Sequence, residues 1–128
     1  MHKAMDVISK KVVKIKKDTR IKAICKLLIK NKISGVSIVD DKGRLIGYVS
    51  ERNVINSFQK DVDFLKEKAG DIMTKKVVSV TPDISLYDVA KIFTNKPFRN
   101  IPVVDKDKKV IGVIARKDVT DKLLRQYY

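Results

Sequence analysis

The chain carries one pattern twice, at a constant offset of 65 residues and without a gap. Asp6-Val7-Ile8-Ser9-Lys10-Lys11-Val12-Val13 returns as Asp71-Ile72-Met73-Thr74-Lys75-Lys76-Val77-Val78. Ile38-Val39-Asp40 returns as Val103-Val104-Asp105, and Ile46-Gly47-Tyr48-Val49 as Ile111-Gly112-Val113-Ile114. A repeat of this length makes each copy one structural unit. A copy of about sixty residues is marginal for a core of its own. The copies are therefore expected to pack on each other about a pseudo-two-fold axis, with a shared cleft. Their boundaries are read as 1–60 and 61–128, forming one module with a linker over 59–69. That linker has no counterpart before the first copy, and one helical turn is expected in it around Phe64-Leu65-Lys66-Glu67.

Each copy reads as strand, helix, strand, strand, helix, giving an α+β fold of two β-α-β-β-α repeats. In the first, Val12 to Ile15 is β-rich, and Asp18-Thr19 offers an N-cap pair. Ile21, Ile24, Cys25 and Leu28 then fall on one helical face, as do Leu86, Val89, Ala90 and Phe93 in the second. Pro82-Asp83 suits a helix entrance. Val36–Val39 and Leu45–Val49 flank Asp41-Lys42-Gly43, a hairpin signal with glycine available for positive φ. The second copy has Asp107-Lys108 there and no glycine, so its turn must differ or place Asp107 in a left-handed conformation. Closing helices are expected over about 52–58 and 117–127. Apolar residues match across the repeat (Ile24 with Val89, Leu28 with Phe93, Val54 with Val119), which marks a shared core pattern.

No apolar run approaches the ~20 residues of a membrane span, and the first six residues lack the apolar core of a signal peptide. Cys25 is the only cysteine, which excludes an internal disulfide and fits a small core residue. A cytoplasmic setting is expected. The net charge of +14, from 29 basic and 15 acidic side chains, points to an anionic partner or to a heavily charged solvated face.

Gly-apolar-apolar-Ser-x-x-Asn in one copy and Gly-apolar-apolar-Ala-x-x-Asp in the other, with Ser34–Asp40 and Arg99–Asp105, resemble the cystathionine-β-synthase (CBS) domain. The resemblance covers almost the whole chain. It implies a tandem pair with a central cleft for adenosine-type ligands: AMP, ADP, ATP or sometimes S-adenosylmethionine. It also implies regulation rather than catalysis, with no cofactor required. Modules of the family pair into disc-like dimers, so a stand-alone pair would be a homodimeric sensor acting on a regulated protein.

The family motif sets a Ser or Thr three residues ahead of an Asp where the last strand meets the last helix. A carboxylate can accept from both ribose hydroxyls, a hydroxyl can donate to phosphate, and the helix N-terminus favours an anion. The chain splits this motif: Ser50 stands with Asn53, and Ala115 with Asp118. N-capping alone would also account for Ser50, Asn53 and Asp118. By the resemblance, Asp118 ranks first, its site comprising Ala115, Lys117, Thr74, Lys75, Phe98 and Ser34. The site of the first repeat comprises Ser50, Arg52, Asn53, Ser9, Lys10 and Ile33. Arg99 and Asn100 are expected to reach toward its phosphates.

Catalysis has little support. His2 is the only histidine, so a Ser–His or Cys–His pair is not expected. Metal-ligand spacing and Gly-rich phosphate loops are missing from the sequence. Acidic pairs such as Asp40-Asp41 are read as solvated turn residues. Nucleic-acid binding is the competing class, supported by the net charge and by Lys10 to Lys17. That stretch also alternates as a protected edge strand, and interleaved aromatics for base stacking are scarce. A purely structural dimerisation module with degenerate sites is the third reading.

Overall fold

The computed structural model describes residues 3–60 and 63–127, with the side chain of Tyr127 outside the description. His2 lies outside the described residues. The elements run β1 (Lys14–Ile15), α1 (Ile21–Asn31), β2 (Gly35–Val39), β3 (Leu45–Ser50), α2 (Glu51–Lys60), α3 (Ala69–Ile72), α4 (Leu86–Asn95), β4 (Asn100–Val104), β5 (Val110–Ala115) and α5 (Arg116–Tyr127). Short 3₁₀ turns cover Ala4–Asp6 and Phe64–Lys66, the latter where one helical turn was expected. The α+β class follows directly, and no helix among the described residues is long and apolar enough to cross a membrane.

The chain divides into two compact units. One is Val13–Val77; the other joins Met1–Val12 to Val78–Tyr128. These units are offset from the sequence copies by the lead-in segments, 1–12 and 61–77.

In the first unit, β1 pairs in parallel with β2, and β2 pairs antiparallel with β3, in the register Val36–Val49 and Ser37–Tyr48. Ile24, Leu28, Val36, Ile38, Val49 and Ala69 form its core, with Ile72 and Met73 packed against it. The lead-in is bound to the unit by its backbone. Ala69 N–H donates to Thr19 (2.8 Å), Gly70 N–H to Lys17 (2.8 Å), and Tyr48 and Thr74 exchange both bonds (3.0 and 2.9 Å). The Met73 side chain lies on Gly47, where a Cβ would collide with its sulfur.

The second unit repeats this plan with the other lead-in. Ala4, Val80, Leu86, Val89, Ile101, Val103, Ile114 and Val119 make the core, with Val7 and Ile8 packed on it. Ser9 and Val113 exchange backbone bonds at 2.8 and 3.0 Å. Ile8 lies on Gly112 as Met73 lies on Gly47. The first strand expected in this copy is reduced to a parallel bridge between Val80 and Val103.

The local signals read from sequence need three corrections. α1 is not capped by Asp18 or Thr19; its N-cap is Arg20, without a side-chain bond. At α4 the cap is Ser85, whose Oγ accepts from Asp88 N–H at 3.1 Å, while Asp83 accepts from the Thr81 hydroxyl in the preceding turn. That bond draws the Asp83 pKa below the ordinary carboxylate value. The two hairpin turns are alike. Gly43 takes φ +81 in one, and Lys108, not Asp107, takes φ +65 in the other.

Asp40 and Asp105 organise these turns rather than merely being solvated. Each carboxylate accepts two backbone N–H groups, from Lys42 and Arg44 and from Asp107 and Lys109, all at 2.9 Å. The Arg44 backbone N–H, with its guanidinium at 2.7 Å adding to it, holds the Asp40 carboxyl below its usual pKa. Asp41 pairs with Lys16 at 2.9 Å. Cys25 is partly buried on α1, and desolvation pushes its thiol pKa up, as suits a packing residue rather than a reactive thiolate.

Candidate functional site

In each unit the last strand runs straight into the closing helix, so the motif residues sit at a helix N-terminus, where the first-turn N–H groups have no partner within the helix itself. In the first unit Ser50 and Asn53 form a reciprocal cap. Asn53 N–H donates to Ser50 Oγ at 3.2 Å, while Asn53 Oδ1 accepts from Ser50 N–H at 2.8 Å and from its hydroxyl at 2.7 Å. Asn53 Nδ2 donates to the Ile72 carbonyl at 3.0 Å and to Thr74 Oγ1 at 3.2 Å. A carboxamide offers two acceptor sites and two donors, and all four are engaged. Asn53 is thus a latch between α2 and the lead-in.

Asp118, its repeat equivalent, is half-buried at the third position of α5. Its carboxylate takes part in none of the side-chain hydrogen bonds or ion pairs among the described residues. Ala115 supplies no hydroxyl for a reciprocal cap, and an ionised carboxylate has no N–H to reach a lead-in carbonyl. Arg116 and Lys117 flank it in exposed positions, and Arg116 N–H donates to the Arg99 carbonyl at 2.8 Å.

The chain's path regroups the expected site residues. Thr74 and Lys75, expected with Asp118, lie in the unit of Ser50, Thr74 bonded directly to Asn53. Ser9 and Lys10, expected with Ser50, lie in the unit of Asp118, Ser9 paired to Val113 on β5. The lead-in segments cause this, since each pairs with the closing strand of the other copy. Ile33 is half-buried beside the core of the Ser50 unit, and Arg52 is exposed on α2. Ser34 is tied to α2 through its carbonyl, which accepts from Glu51 N–H at 2.9 Å. Half-buried Phe98, exposed Arg99 and Asn100 (opposite Ala115) belong to the Asp118 unit.

One feature escaped the sequence reading. An open pocket of about 360 Å³ in the first unit is lined by Asn53, Asn56, Ser57 and Lys60 of α2 and by Glu67, Asp71 and Ile72. The signal was a polar i, i+3, i+4, i+7 stripe on α2. Among the described residues, no three His, Cys, Asp or Glu side chains converge as metal ligands.

The family model of the CBS domain matches residues 4–60 and again 69–125. The chain belongs to the CBS domain family. This CBS pair is 27% identical to the uncharacterized protein MJ1426 of Methanocaldococcus jannaschii, over 91% of this chain and 89% of that protein. It spans only 22 to 42% of the next curated relatives it matches, inosine-5'-monophosphate dehydrogenases among them. The fold superposes with a TM-score of 0.89 on CBSX2 of Arabidopsis thaliana, solved in complex with AMP, at 25% identity and full coverage of both chains. It superposes at 0.81 on the cytosolic domain of the Mg2+ channel MgtE, solved in complex with ATP, at 26% identity over 94% of this chain and 48% of that one.

Proposed function

We propose that this CBS pair is a non-catalytic regulatory module that binds an adenine nucleotide (AMP, ADP or ATP) at the N-terminus of α5. The observation that carries the reading is the half-buried Asp118 carboxylate, without a side-chain hydrogen bond or ion pair among the described residues and set at a helix N-terminus. An ionised carboxylate there accepts two hydroxyl donors at once, as a ribose offers them, through charge-assisted bonds. The helix terminus and the flanking Arg116 and Lys117 favour the phosphate. Half-buried Phe98 offers an apolar surface of the kind an adenine ring needs. CBSX2 and the MgtE domain, with AMP and ATP, support the ligand class. The engaged Asn53 supports one nucleotide per chain, with the Ser50 set serving structure. In this reading the module works as a homodimer in the cytoplasm, and a partner protein responds to a difference in affinity between two states.

A thermal-shift panel of AMP, ADP, ATP, S-adenosylmethionine and NAD on wild type and Asp118→Ala tests this. A ligand at a hundred times its Kd stabilises by about 2.7 kcal/mol. At least one adenine nucleotide should raise the wild-type midpoint and leave Asp118→Ala unmoved. If no adenine compound shifts wild type, the module is structural and the reading falls.

A further inference from the structure

Helix α1 breaks electrostatic rules that its repeat equivalent α4 obeys. α4 starts on Ser85, which caps it, and carries Asp88 in its first turn, where a carboxylate suits the positive end of the helix dipole. The residue equivalent to Ser85 at α1 is Arg20, which makes no side-chain cap, and the first turn of α1 holds no acid. Lys22, Lys26 and Lys30 follow at i, i+4 and i+8, all exposed, where α4 has Tyr87, Lys91 and Asn95. Like charges four residues apart weaken a helix, as do cations at its N-terminus, and of the three lysines only Lys30, in the last turn, suits the helix dipole. From Arg20 to Lys32 there are five basic residues and no acidic one. None of Lys22, Lys26 and Lys30 enters an ion pair among the described residues. The fold does not require this charge, because α4 occupies the same place in the repeat without it. A local rule broken with no compensating contact marks a functional surface.

We propose that the lysine face of α1 docks the phosphate backbone of a nucleic acid. The three ammonium groups recur about 6 Å apart along the helix, a run of about 12 Å. One strand presents a phosphate every ~3.4 Å of axis, so the face matches about four phosphates. The chemistry of the face favours this partner over an acidic protein helix or an anionic membrane. Ile29, 78% exposed, is the only large apolar side chain exposed on α1, so no apolar stripe exists for a partner helix or for insertion into lipid. Recognition would run through charge and be indifferent to base sequence. Lys10 to Lys17, which suggested nucleic acid from sequence, is less suited: Lys14 lies in β1, and Lys16 is held by Asp41.

The test is fluorescence anisotropy of the full chain with labelled mixed-sequence single strands and duplexes, from 50 to 300 mM salt. Wild type is compared with Lys22→Gln/Lys26→Gln/Lys30→Gln, since glutamine keeps the helix propensity. A control, Lys96→Gln/Lys106→Gln/Lys109→Gln, removes the same charge from exposed positions elsewhere. The α1 variant should bind at least tenfold more weakly, and its log–log salt slope should fall by about two on single strands and up to about three on duplex. The control should keep the wild-type slope. The α1 variant should also melt no lower than wild type, which separates lost binding from lost fold. Equal losses in both variants would show diffuse charge and overturn the proposal. So would an absence of binding at 100 mM salt, or binding to polyglutamate but not to nucleic acid.

Discussion

At the scale of single residues, the two copies differ most usefully at Asn53 and Asp118. The side chains differ by one group, yet that group decides whether the side chain can close on its own lead-in segment. Asn53 donates to Ile72 and Thr74 and has no capacity left. In Asn53→Asp both donors are gone and a carboxylate faces the Ile72 carbonyl, which loses its partner, while the Thr74 hydroxyl can turn to donate instead. Such a loss costs about 1–3 kcal/mol, to be read as a lowered midpoint in urea or heat. Asp118→Asn breaks no contact in the structure, so its stability should stay within about 0.5 kcal/mol of wild type. Its nucleotide affinity, measured by calorimetry, should fall about tenfold as charge-assisted bonds become neutral ones. The motif positions were legible in sequence, because their residue types are those that ribose and phosphate demand. Which of them the protein already satisfies was not legible, because a saturated amide and a free carboxylate look alike as letters.

At the scale of elements, the hairpins show how one backbone is met by two sequences. Both turns need a residue in the left-handed region, filled by Gly43 in one and Lys108 in the other. A side chain there costs roughly 1–2 kcal/mol, against the ~0.5–1 kcal/mol of chain entropy that glycine loses on folding. Lys108→Gly should therefore stabilise by about 0.5 kcal/mol, and Gly43→Lys should destabilise by a similar amount in denaturant titration. The sequence left this turn open because the aspartate that organises it, Asp105, precedes the residue that bends.

Asp40 gives the pH dependence of the same element. Its folded pKa lies below the unfolded value of 3.8. The stability it adds is thus present above the unfolded pKa and is lost as pH falls through the folded one. Asp40→Asn should be less stable than wild type at neutral pH, and the gap should close in acid. Asp83 contributes in the same direction.

At the scale of the whole molecule, the 65-residue repeat predicted nearly every element, because apolar periodicity and turn residues are local signals. It could not show which unit each lead-in completes. Segments 6–13 and 71–78 are alike in sequence, so their likeness establishes equivalence and says nothing about which sheet each joins. The structure resolves it through contacts that repeat as faithfully as the letters do, Met73 on Gly47 and Ile8 on Gly112. The family repeats match 4–60 and 69–125, while the compact unit is 13–77, and 13–77 is expected to be the piece that folds cooperatively. Cutting at 60 removes fully buried Ala69, the Ile72 and Met73 packing, and the backbone bonds to Thr19, Lys17 and Tyr48. A fragment of this size has little stability in reserve, so those losses should abolish folding. Expressed alone, 13–77 should show a cooperative thermal transition and dispersed amide resonances, and 1–60 should show neither. A folded 1–60 beside an unfolded 13–77 would place the unit boundary back at the sequence repeat.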